Sequence, residues 1–119
     1  MELNILNEKN TIIAEIISDE VVVNTPQDAL DLMAEAGYYG ARSLILMDNH
    51  FVPEFFELKT KIAGEILQKF SNYRVKMAII GEFEKYKSKS LKAFIGESNK
   101  GNLIFFVPDR KTAIAKIIG

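Results

Sequence analysis

Between Arg42 and Gly81 an apolar run, an amphipathic stretch and a second apolar run follow one another with almost no slack, and this spacing constrains the fold more than any other feature. Ser43 to Met47 is a continuous apolar segment, as expected of a central parallel strand covered on both faces. Val75 to Ile80 forms a second strand, ended by Gly81. Between them Pro53 suits a first helical turn, and Phe55, Leu58, Ile62, Ile66, Phe70 and Tyr73 recur at helical spacing. The segment therefore reads as a β-α-β unit with a right-handed crossover and with the longest helix of the chain. Gly64 inside that helix costs about 1 kcal/mol relative to alanine, which points to close approach of a neighbouring group.

The flanking segments extend the same plan. Leu3 to Leu6 and Thr11 to Ile17, separated by the polar cluster Asn7 to Asn10, predict an opening β-hairpin. Val21 to Val23 reads equally well as strand or as lead-in to a helix. Thr25 as N-cap, Pro26 in the first turn and Asp28 near the positive dipole start a helix whose stripe is Ala29, Leu30, Met33 and Ala36, with Gly37 as its left-handed end. Ser88 caps a third helix carrying Leu91, Phe94 and Ile95, and Ser98 to Asn102 is its loop exit. Leu103 to Val107 is the last strand, and Asp109 caps a final helix with Ala113, Ile114, Ile117 and Ile118 on its apolar side. The expected fold is a single α/β domain over residues 1–119, with a mixed sheet of about five strands and about four helices.

Composition narrows the functional classes. With no cysteine there is neither a disulfide framework nor a thiolate nucleophile or zinc site. Met1 is followed at once by Glu2 and Asn4, so no secretory signal is expected, and no apolar run reaches the roughly 20 residues of a membrane span. A cytoplasmic protein without membrane contact is the expectation. A net charge of −1 lacks the positive field that nucleic-acid binding needs.

The order hairpin, helix, strand, helix, strand, helix, strand, helix resembles the STAS domain, shared by anti-sigma-factor antagonists and the cytoplasmic tails of sulfate transporters. In addition, Ala36 to Arg42, Phe55 to Thr60, Ala63 to Arg74, Glu97 to Gly101 and Phe105 to Arg110 resemble a bacterial family of unknown function, a likeness covering most of the chain. STAS antagonists imply a phospho-switch on a serine in an Asp-Ser-Ser/Thr-Gly type motif after the central strand. Here that place reads Asp48-Asn49-His50-Phe51, in which only the aspartate matches. Thr60 and Ser71 are the hydroxyls left for a different scheme.

Ligands in open α/β sheets bind beyond the carboxyl ends of parallel strands, which gathers Asp48, Asn49, His50, Gly81, Glu82, Asp109 and Arg110 as a candidate ligand site. His50, the only histidine, is the one evident general base, with Asp48 or Glu82 as partner. Helix capping and solvation explain the same residues without catalysis, so no catalytic residue, cofactor or metal is assigned. Lys85, Lys87, Lys89 and Lys92 with Tyr86 form a local basic patch around the start of the third helix. Phe55 and Phe56 point in different directions, so either strand ends and neighbouring loops absorb both, or with Phe51 they anchor a protein partner, helped by Lys59 and Thr60, which is the docking surface expected here. The expected function is thus an interaction or regulatory module, with dimerisation through the same surface as a variant; an anionic-ligand binder or weak enzyme is the alternative.

Overall fold

The computed structural model describes residues 1–119. Chain order becomes spatial order: five strands lie in the sequence β1-β2-β3-β4-β5 across one mixed sheet. β1 (Glu2–Glu8) and β2 (Thr11–Ile17) form the antiparallel opening hairpin, and β3 (Ser43–Met47), β4 (Lys76–Ile80) and β5 (Ile104–Val107) continue parallel to β2. The hairpin turn is only Lys9-Asn10, both at positive φ, the two-residue geometry that matches strand twist. Asn7 and Glu8 therefore belong to β1 and not to the turn.

Three crossovers of one hand, each stepping one strand in the same direction, bring α1 (Pro26–Tyr38), α2 (Ile62–Tyr73) and α3 (Lys89–Lys100) to one face. Ala29, Leu32, Ala36, Ala63, Ile66, Phe70 and Leu91 meet Leu44, Leu46, Met77, Ile79 and Phe106 there. α4 (Arg110–Ile118), free of a following strand, covers the opposite face with Ala113 and Ile117 against Ile45, Ala78, Ile80 and Phe105. The Lys76 ammonium reaches over to the Ile117 carbonyl at 3.1 Å and satisfies the carboxyl end of α4. No helix is long and apolar enough to cross a membrane.

Local cap chemistry holds where the sequence placed it. Thr25 and Asp28 make a reciprocal capping box, Ser88 accepts from Leu91 N–H, and Asp109 accepts from Thr112 N–H. Other expectations are corrected. The first helix runs past Gly37 to Tyr38, and the left-handed residue is Gly40, with φ +83°. Of the two readings of Val21 to Val23 the lead-in to the helix holds, with Val23 making a single parallel bridge to Phe51. α3 continues through Ser98 and Asn99, which are helix and not loop.

The largest correction concerns Pro53 to Tyr73, which is not one helix. Two 3-10 turns, Pro53–Phe56 and Leu58–Thr60, precede Lys61 in the left-handed region, and α2 begins only at Ile62. The Thr60 hydroxyl lies 2.8 Å from the Glu54 carbonyl and 2.7 Å from the Glu57 carbonyl, offering the backbone an alternative to helical bonding. Breaking the helix lets Phe55 and Phe56, adjacent in sequence, both turn inward, which one continuous stripe does not allow. At Gly64 nothing lies within 4 Å of an added Cβ, so its presence has no packing cause inside the chain.

Candidate functional site

Two loops build the carboxyl end of the sheet. The loop after β3 runs from Asp48 to Lys61, and the loop after β4 runs from Gly81 to Ser88 into α3. They meet through the Asp48 carboxylate, which accepts a 2.9 Å hydrogen bond from the Lys85 ammonium. That carboxylate lies over Gly81, where an added Cβ would fall 2.8 Å from it. Glycine at this position is what lets the aspartate lean across the end of β4.

The loop after β3 turns its chemistry inward. His50 is 1 % exposed and has both ring nitrogens engaged: Nδ1 accepts from Met47 N–H at 2.9 Å, which puts the proton on Nε2, where it is donated to the Ser18 carbonyl at 3.0 Å. Its own carbonyl accepts from Val22 and Val23 N–H. The imidazole is therefore a tie between the β2–α1 connection and the end of β3, and has no lone pair left for proton transfer. Phe51, Phe55 and Phe56 are 2, 1 and 7 % exposed and pack ring against ring, with centroids 4.4 and 4.9 Å apart. As surface anchors for a partner these three are corrected to core. Thr60, whose hydroxyl also accepts from Ile62 N–H, holds the turn together, and Lys59 is exposed beside it.

Of the remaining predicted ligand residues, Asn49 and Glu82 are exposed at the rim near Asp48 and Gly81. Asp109 and Arg110 turn away. Asp109 caps α4, and the Thr112 N–H holds its carboxyl below the usual carboxylate range. The Arg110 guanidinium crosses to the face under α4 and bonds Glu15 at 2.6 and 3.3 Å. Burial alone would push the Glu15 carboxyl up, but hydrogen bonds from Arg110 and Asn4 outweigh it and leave the carboxyl below its ordinary value.

The loop after β4 faces outward. A cleft of about 400 Å³ opens beside it, with Phe83, Ile95, Phe106 and Pro108 as its apolar lining and Glu82 and Lys85 at the rim. A smaller one of about 170 Å³ lies on the other side of Lys85, between Asp48, Asn49, Pro53 and Tyr86. The Tyr86 ring stacks on buried Phe56 at 5.0 Å, so the outer loop rests on the inner one. Lys85, Lys87, Lys89 and Lys92 are all exposed, and only Lys85 makes an ion pair. Sequence reasoning found this basic segment but not the Lys85–Asp48 pair, whose only trace in the sequence is a glycine straight after β4. Nowhere do three or more metal-ligating side chains converge.

No curated protein and no solved structure matched the chain. Residues 8–117, from the last residue of β1 to the last turn of α4, match a family described as Domain of unknown function (DUF4180), and the chain belongs to that family.

Proposed function

We propose that this chain is a non-enzymatic interaction or regulatory module that docks an acidic protein partner on the segment Lys85–Lys92 and the cleft beside it. One observation carries this reading: the only histidine is spent as a structural tie, while three of the four lysines in that segment are exposed and free of ion pairs. Phe83, Tyr86 and Ile95 are half-buried at the edge of the segment and supply apolar contact area inside a charged rim. Two copies meeting symmetrically through this surface would set like charges together, which argues against a symmetric dimer here. The hairpin-first order of elements supports kinship with STAS-like cytoplasmic regulatory domains. Asp48-Asn49-His50 offers no hydroxyl for the phospho-switch of the antagonists.

A second reading is a small ligand held in the cleft, favoured by a volume within the usual range of small-molecule pockets, roughly 300 to 1,000 Å³; an anionic one would have to meet Lys85 past Glu82 and Glu84. Native mass spectrometry of protein purified gently from its source cells separates the two. A bound protein lost on Lys87→Glu with Lys89→Glu supports the module. An added mass of a few hundred daltons retained in that variant supports the ligand.

A further inference from the structure

The sheet has two edges, and they are finished differently. At the β5 edge the Asn99 side chain acts as a substitute strand: its Oδ1 accepts from Phe106 N–H at 2.7 Å and its amide donates to the Phe106 carbonyl at 3.1 Å. At the β1 edge nothing comparable exists. β1 has seven residues in unbroken register with β2, without bulge, proline or lysine, and of the charges that blunt exposed edges it has only Glu2 and Glu8, at its two ends. Because Glu8 and Thr11 close a two-residue hairpin, the even positions of β1 bond inward. The backbone N–H and C=O groups of Leu3, Ile5 and Asn7 face outward.

Charge is sorted in the same direction. Residues 1–40, which make β1, β2 and α1, hold eight acidic side chains and one lysine, and the one ion pair that reaches them from elsewhere is Arg110 with Glu15. Chain order is sheet order, so this imbalance becomes an acidic edge. Along β1 the two faces also differ. Leu3 packs toward the three-helix face, with Ile5 beside it and 39 % exposed, whereas Leu6 packs toward the α4 face, which it shares with Glu2, Asn4 and Glu8.

We infer that β1 is a docking edge for an extended basic segment of a partner protein, which adds to the sheet as a sixth strand. Apolar residues of the added strand would pair with Leu3 and Ile5, and two basic residues six positions apart would stand opposite Glu2 and Glu8 on the other face. A second copy pairing antiparallel through its own β1 would bring its glutamates against Glu2 and Glu8, which argues for a basic partner over self-association. This surface lies at the opposite edge of the sheet from Lys85–Lys92 and does not depend on it.

The probe is a capped heptapeptide, Lys-Val-Thr-Val-Thr-Val-Lys, read by fluorescence anisotropy and by amide exchange of the full chain. Binding is expected, with protection of the Leu3, Ile5 and Asn7 amides, and with affinity lost about threefold or more between roughly 50 and 500 mM salt. The same peptide with glutamate at both ends should bind at least about tenfold more weakly. Ile5→Pro removes one outward N–H while leaving the bonds to β2 intact, and should abolish binding in a protein that still melts cooperatively. Binding unchanged in Ile5→Pro, or equal for the glutamate peptide, would overturn the inference. So would a dimer with the same amides protected before any peptide is added, or no binding at all. Lys87→Glu with Lys89→Glu should leave the affinity unchanged, so this test and that of the lysine surface fail separately.

Discussion

The loops after β3 and β4 start from the same place in the fold, the carboxyl end of a buried parallel strand, and come to opposite ends. The first spends its histidine, three phenylalanines and threonine on closing the domain. The second, with no buried residue of its own, rests Tyr86 on that packed loop and exposes a run of lysines. Residue types that suggest chemistry are thus no guide to which loop is free to act. What separates the two is whether their polar atoms are already partnered.

The difference between the loops should be largest at Phe55. Phe55→Ala should destabilise the domain by about 3–5 kcal/mol in a denaturant titration, because it empties a fully buried ring site. A loss within the range of surface substitutions would mean that the β3 loop is not core. His50→Ala should follow, costing about 2–3 kcal/mol by stranding Met47 N–H and the Ser18 carbonyl. Retained stability there would reopen the histidine to a chemical role. Gly81→Ala should cost about 1–3 kcal/mol, since the new Cβ displaces the Asp48 carboxylate and with it the Lys85 contact between the loops. A crystal structure of that variant with Asp48 unmoved would contradict the account.

Two carboxylates outside both loops should contribute acid sensitivity. Glu15 and Asp109 have carboxyls held below their ordinary values in the folded chain. Their stabilisation is therefore present above the unfolded-state pKa, near 4, and is lost as pH falls through the lower folded value. Melting temperatures between pH 6 and 3 should fall less steeply in Glu15→Gln, with a change on the order of 1 kcal/mol or less for this exposed-arginine pair. The smallest effect is expected for Lys87→Glu with Lys89→Glu, whose stability should stay within about 0.5 kcal/mol of the original.

Much of the fold was legible because its signals are local. Thr25, Ser88 and Asp109 cap the helices they were expected to cap, and the two apolar runs around α2 are neighbouring parallel strands. Chain order that equals sheet order made the architecture readable without any long-range pairing to guess. What failed depended on contacts distant in sequence. Nothing near His50 announces Ser18 as its partner, and nothing near Asn99 announces that its amide would close the β5 edge. The break at Thr60 was hidden for a different reason: Phe55, Leu58 and Ile62 keep helical spacing whether or not the backbone between them is helical.

A photo-crosslinking residue placed at Lys89, compared with one at Tyr38, tests the central claim most directly. Tyr38 is 84 % exposed and is the last residue of α1, before the connection into the amino end of β3 and far along the chain from the lysine segment. Irradiation in the source cells should give a discrete protein adduct from position 89 and none from position 38. Adducts from position 38 alone, or from neither position, would contradict the assignment of the lysine surface as the docking face.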